Sequence, residues 1–212
     1  MDELEILKKQ WQKREHELPT LSYAEICKML LKKSSSIVKW IFIISIAELA
    51  FWISLNFLIP DSQKEIINEM GLGNIIFYSN FLHFIIFGIF IFYFYKNYKS
   101  IQVTDDTKSL MASILKTRKT VKYFVMYNIG MFVISSIAMN SFFYKRSDQL
   151  YEVMDFAAKG VPQEGFASIF IISQIIAGIL FVGILILFYW LIYGILLKRL
   201  KRNYKELKKM EV

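Results

Sequence analysis

The sequence predicts an all-α integral membrane protein with four transmembrane helices. Three observations carry that reading. The chain of 212 residues is 55% hydrophobic, too apolar for a soluble domain of this length. Its apolar residues gather in four long runs, and its cations are concentrated in three of the five segments those runs leave. The runs are Ile37–Ile59, Asn74–Tyr95, Val121–Phe143 and Phe166–Leu197, each at least 22 residues long. About 20 residues are needed to cross a hydrocarbon core as a helix. Only helices and closed barrels satisfy their backbone groups in lipid, and these runs lack the short alternation of barrel strands.

The polar segments set the orientation. Residues 1–39 carry eight Lys and Arg, residues 96–122 seven and residues 198–212 seven. The connections 60–73 and 144–165 carry one and three. The positive-inside rule therefore predicts cytoplasmic N and C termini, a cytoplasmic central connection and two outer loops. This topology, with attraction to anionic lipid head groups, accounts for the net charge of +8. No nucleic-acid partner is expected. The first run starts after 36 residues rich in charge, too far in for an ordinary secretory signal, and no lipidation motif is seen.

Residues 1–36 read as two amphipathic helices. The first places Leu4, Leu7 and Trp11 on one face and is stopped by Pro19. In LSYAEI, Ser22 and Glu25 have capping-box spacing for a second helix over about 23–33. Its apolar side (Tyr23, Ile26, Cys27, Leu30, Leu31) either lies on the membrane surface or packs on other cytoplasmic helices; both readings are open. Residues 96–120 repeat the idea: Thr104 or Asp105 caps a helix with Leu110, Met111, Ile114 and Leu115 on one face, running into the third span (121–143). Residues 198–212 extend the fourth span (166–197) as a helix with a seam of Leu197, Leu200, Tyr204 and Leu207.

The two halves resemble each other. LLKKSSSIVKW (30–40) aligns without gaps on SILKTRKTVKY (113–123), and KNYKSI (96–101) matches RNYKEL (202–207). Each half reads amphipathic helix, VK-aromatic, span, outer loop, span, NYK. That order predicts a parallel tandem repeat of two-span hairpins. Chance convergence of membrane-flanking segments is the competing reading.

Glu48 is the exception to the apolar runs. It lies 11 residues inside the first span, near mid-bilayer at about 1.5 Å rise per residue. An unpaired carboxylate there costs roughly 2.5–3.5 kcal/mol, so it should face protein and find a partner. His83 on span two, Ser135 and Ser136 on span three and Gln174 on span four lie at matching depth. We expect one buried polar cluster of these five residues, with Glu48–His83 as its core. Such a cluster either fixes the helix register or is a proton- or ion-responsive site.

Enzyme chemistry is not expected. The only histidines are His16 and His83 and the only cysteine is Cys27, so no zinc or haem ligand pattern arises and no cofactor or metal is implied. No phosphate-cradling glycine loop and no Ser–His–Asp grouping appear.

The stretches ELEILKKQW, KKSSSIVKWIFIISIAELAFW and VTDDTKSLM…ILKTRKTVKYFV resemble a family of short, uncharacterised flavobacterial four-span inner-membrane proteins, over most of the chain. The carotene-cleaving oxygenase label sometimes attached to that family implies iron held by several histidines, which two histidines do not supply. The resemblance also carries an association with sigma factors, and so implies an anti-sigma-like or other regulatory membrane partner. Two functions follow as expectations. The first is a non-enzymatic regulatory or scaffold protein of the bacterial inner membrane. It would bind a cytoplasmic or membrane protein, or a second copy of itself, through Leu4, Leu7, Trp11, Leu200 and Tyr204. The alternative is a small transporter or ion- or proton-responsive channel built on Glu48 and His83.

Overall fold

The computed structural model describes Glu5, Lys8, residues 22–104 and residues 106–210. Among these residues every regular element is helical. They form α1 (Tyr23–Phe57), α2 (Asp61–Glu69), α3 (Gly73–Gln102), α4 (Thr107–Lys145), α5 (Ser147–Val153), α6 (Phe166–Tyr189) and α7 (Ile195–Met210). A π-helical turn, Trp190–Gly194, joins α6 to α7, so one rod of 45 residues runs from Phe166 to Met210. α1, α3, α4 and this rod are long and apolar enough to cross a membrane. At most 22% of the most apolar stretch of any of them is buried within the protein, so most of that surface faces outward. An apolar surface of that extent is incompatible with water and fits a lipid surround.

One expected boundary is absent from the backbone. No Pro or Gly interrupts residues 23–57, and the amphipathic segment and the first span form one helix of 35 residues. Residues 107–145 are one helix of 39, the expected continuation into the third span. The division expected at 36 marks a change of composition only. The start of α1 is as expected: Glu25 N–H donates to Ser22 Oγ at 3.3 Å, and Ser22 N–H donates to the Glu25 carboxylate at 2.8 Å. These Ser22 bonds hold the Glu25 carboxyl below its ordinary pKa. The sign follows: with the folded value lowered, the cap stabilises fully above the ordinary carboxylate range and is lost as pH falls through the folded value. The protection factors of amides 23–26, measured against the intrinsic exchange rate at each pH, are therefore expected to fall in acid, and Ser22→Ala should remove that acid dependence.

Two details differ from expectation. α4 is capped by Asp106, whose carboxylate accepts from Ser109 N–H at 3.2 Å. Thr104 instead donates back to the Ser100 carbonyl at 2.6 Å, and Asp105 lies outside the described residues. The expected outer loops contain the helices α2 and α5, whose apolar residues have a surface to pack on. Met70, Leu72, Leu150, Tyr151 and Phe166 form a second buried cluster across that end of the bundle. Arg146 donates to the Met70 carbonyl at 3.3 Å, and Tyr151 O–H donates to the Val161 carbonyl.

The long helices close into a ring. α1 packs on α3, α3 on α4, α4 on α6 and α7, and α7 back on α1. The side chains of the amphipathic start of α1 pack inward: Ile26, Cys27 and Leu31 lie against the core, and Tyr23 Oη is 3.3 Å from Thr107 Oγ1. Most of the buried polar groups are satisfied locally or across helices, as lipid requires. Ser45, Thr117 and Asn128 donate to carbonyls three or four residues back at 2.8–2.9 Å.

Burial follows the two halves of the sequence. The buried positions Leu30, Ser34, Val38, Ile41 and Ser45 of α1 fall, at one constant offset, on Ser113, Thr117, Val121, Phe124 and Asn128 of α4, all buried. Aligning the NYK motifs places Phe87, Phe94, Asn97 and Ile101 of α3 on Tyr193, Leu200, Asn203 and Leu207, again all buried. The two asparagines act alike. Asn97 donates to Thr120 on α4 at 3.1 Å, and Asn203 donates to Ser34 on α1 at 3.0 Å. Each ties the second long helix of its half to the first long helix of the other.

Candidate functional site

Glu48 is where the apolar stretch of α1 turns inward. It continues the buried stripe Val38–Ile41–Ser45 by one helical step and is only 6% exposed. Its partners come from the rod on the opposite half of the chain. Tyr189 O–H donates to Glu48 Oε1 at 2.5 Å, and Tyr193 O–H donates to Oε2 at 3.0 Å. Both phenols are buried. The two tyrosines bracket the start of the π turn, in YWLIY. π turns are rare and concentrate at functional positions; here the turn lies where both rings must reach one carboxylate.

His83 has a different partner. Its Nδ1 lies 3.2 Å from Tyr127 Oη, and the two rings stack at 5.6 Å between centroids and 12° between planes. The expected Glu48–His83 core does not form: Glu48 is bonded to two phenols of the rod and His83 to Tyr127. By the NYK register, His83 occupies in its half the place that Tyr189 occupies in the other.

The two groups are linked by a cavity of about 230 Å³. His83 and Tyr189 both line it, with Trp52, Asn56, Ser79, Asn80, Asn128 and Ser135 among the other walls. Of the five residues expected to cluster, the structure thus brings His83 and Ser135 to one cavity and Glu48 to its wall through Tyr189. Ser136 is half-buried and does not line the cavity; Gln174 is exposed. Depth alone was the reason to include them, and depth does not fix which face of a helix a residue occupies. Tyr189 and Tyr193 were missed as ligands of Glu48. Their signal was present: two phenols four residues apart, on a span at a depth the carboxylate can reach.

A second crevice lies on the other side of the same tyrosines. Tyr189 and Tyr193 line a cleft of about 330 Å³ between α4 and the rod, together with Arg118, Lys122 and Trp190. The Arg118 Nε is buried without a hydrogen-bond partner among the described residues. Tyr189–Glu48–Tyr193 therefore forms a hydrogen-bonded chain between the polar cavity and a cleft with basic residues.

The residues expected to bind a partner fare differently. Leu200 is fully buried in the core and Tyr204 is half-buried against it, so the seam of α7 is consumed inside the bundle by packing on α1 and α4. Leu200 therefore has no free surface to offer another protein, and Tyr204 keeps only part of its own. Leu4, Leu7 and Trp11 lie outside the described residues.

Fold and site together define a helical multi-pass membrane protein with a half-open cavity between its helices and a buried carboxylate bonded to one of the tyrosines that line it. The chain belongs to the DUF8845 family, described as a domain of unknown function, whose profile matches residues 24–212. No curated protein and no solved structure matches it.

Proposed function

We propose that this is a non-enzymatic, proton-responsive membrane protein of the small-transporter type. It resides in a bacterial inner membrane with both termini in the cytoplasm, and it arose by tandem duplication of a two-span hairpin. The matched burial of the two halves and their exchanged asparagine bonds support the duplication. The cation bias of the polar segments supports the orientation.

The observation that carries the functional reading is the Tyr189–Glu48–Tyr193 chain beside the polar cavity. A carboxylate accepts from both phenols at once. A neutral carboxyl group has one O–H of its own, and it must donate it to one phenol oxygen. That phenol then turns its hydroxyl proton to a new acceptor, in the cavity for Tyr189 or toward the cleft for Tyr193. Taking up one proton at Glu48 thus reverses one hydrogen bond, and losing it restores the bond. A proton or small cation entering the cavity is thereby read by, or passed through, the carboxylate. Intramembrane ionisable residues facing a bundle interior typically serve such pathways.

The test is proton movement across liposomes containing the purified protein and an internal pH-sensitive dye. After an imposed pH step, equilibration faster than in empty liposomes is expected. Glu48→Gln should slow it about a hundredfold or more, the scale at which a proton-transferring group contributes. Rates indistinguishable from empty liposomes, over a range of counter-cations, would remove the reading.

A further inference from the structure

We propose that the groove between α1 and α7 at the basic end of the bundle is a binding site for the phosphate of an anionic phospholipid. Four cations line it: Lys32 and Lys33 from α1, Arg199 and Arg202 from α7. The groove encloses about 570 Å³, and no acidic residue lines it. Of these four, only Arg202 has an ion-pair partner among the described residues, Glu206, at 3.9 Å across an exposed helical turn. Such a contact is weak and easily exchanged.

The two walls are held at a fixed separation. Asn203, at the back of the groove, donates to Ser34 at 3.0 Å, and both residues are buried. The cations are therefore presented on a preformed cleft, which lowers the ordering cost of binding.

Position selects a lipid as the source of the phosphate. Ile37, which lines the groove, opens the apolar part of α1, and Arg199 lies just past Leu197, where the apolar part of the rod ends. The cations thus sit at head-group level, with Met29 and Ile37 as apolar walls and the exposed Trp40 one turn deeper on α1. Basic clefts between spans at that level suit anionic head groups. Arginine forks add paired hydrogen bonds to phosphate oxygens.

The internal repeat supplies a control within the same molecule. At the corresponding places on α4 and α3, Leu115 replaces Lys32 and Tyr93 replaces Arg199, while Lys116 and Lys96 match Lys33 and Arg202. The second face therefore keeps half of the charge at the same depth.

The experiment is native mass spectrometry of the full-length protein titrated with phosphatidylglycerol, phosphatidylcholine or soluble glycerol phosphate. Phosphatidylglycerol is expected to bind in preference to the other two. Lys33→Gln/Arg202→Gln should weaken it by about tenfold to thirtyfold, the effect of two interfacial cations. Lys116→Gln/Lys96→Gln, which removes the same charge, should change it less than twofold. Lys32→Gln/Arg199→Gln, on the same groove, should repeat the first loss if the first pair folds poorly. Equal losses in the two regions would mean diffuse attraction and overturn the site. So would glycerol phosphate competing as well as the lipid, which would make the ligand a soluble phosphate.

Discussion

Glu48→Ala is expected to destabilise the bundle by about 2–4 kcal/mol, because it strands two buried phenols. Tyr189 and Tyr193 are 4% and 1% exposed, and each donates to a different oxygen of that one carboxylate. A buried hydroxyl without a partner costs about 1–3 kcal/mol. Interhelical hydrogen bonds in membrane proteins average nearer 0.6 kcal/mol when both partners can relax, so the effect lies toward the lower half of the summed range. Glu48→Gln should cost less, about 1 kcal/mol, since the amide keeps one acceptor and forces only one phenol to reverse. Glu48→Leu combined with Tyr189→Phe and Tyr193→Phe should recover most of the loss, because no polar group is then left unpaired. Unfolding in mixed micelles, followed by tryptophan fluorescence, ranks the four proteins. If Glu48→Ala proves as stable as the parent, the phenols do not depend on the carboxylate and the network has no structural role. The same variants separate stability from function. The triple variant should fold yet move no protons, which a register-setting cluster alone would not predict.

The membrane spans were legible because hydropathy and length are properties of a segment, independent of its neighbours. The capping box was legible because Ser22 and Glu25 answer each other over three residues. The helical continuation to Met210 was legible because nothing between Lys198 and Met210 breaks a helix. Even the repeat was visible, through VKW against VKY and the two NYK motifs. Partner choice at Glu48 was not, and the reason is geometric. A span presents its full circumference at every depth, so depth matching admits His83, Gln174 and Tyr189 alike. Rotation about the helix axis decides among them, and a π turn resets that rotation within the rod without leaving a signal in composition. Leu200 shows the same limit from the other side. An apolar seam on a basic helix reads equally well as a docking surface or as core, and here α1 and α4 already cover it. The repeat itself held the corrective information. Leu200 corresponds to Phe94, a residue inside an unambiguous span, and correspondence to a core position argues for core.

Phe124→Ala is expected to have the largest effect of any single side-chain truncation, about 3–5 kcal/mol. Phe124 is fully buried on α4 where three elements meet. Its ring lies 5.0 Å from Phe87, 5.4 Å from Phe90 and 5.4 Å from Phe94, all on α3. On the other side it meets Tyr193 at 5.7 Å and Tyr189 at 6.3 Å. All five contacts are edge-on, the geometry in which the ring quadrupoles attract, and each is worth roughly 0.5–1.5 kcal/mol beyond burial. Apolar burial gives little drive between helices in lipid, so packing contacts of this kind carry a larger share of the association. The rings of Tyr189 and Tyr193 lean on Phe124 while their hydroxyls hold Glu48. Removing the ring frees both phenols to move away from the carboxylate. The effects of Phe124→Ala and Glu48→Ala should therefore fall short of additive by about 0.5–3 kcal/mol, the range for residues sharing a network. Ile41 occupies the corresponding place on α1, is equally buried and, being aliphatic, makes no ring–ring contact. Ile41→Ala measures cavity formation at the same level of the bundle without the aromatic contacts. A loss in Phe124→Ala no greater than in Ile41→Ala would show that the ring contributes volume alone. A larger loss, coupled to Glu48, would show that the aromatic hub on α3 and α4 sets the position of the carboxylate's phenols, and so ties the α3–α4 pair to the protonation state of a residue on α1.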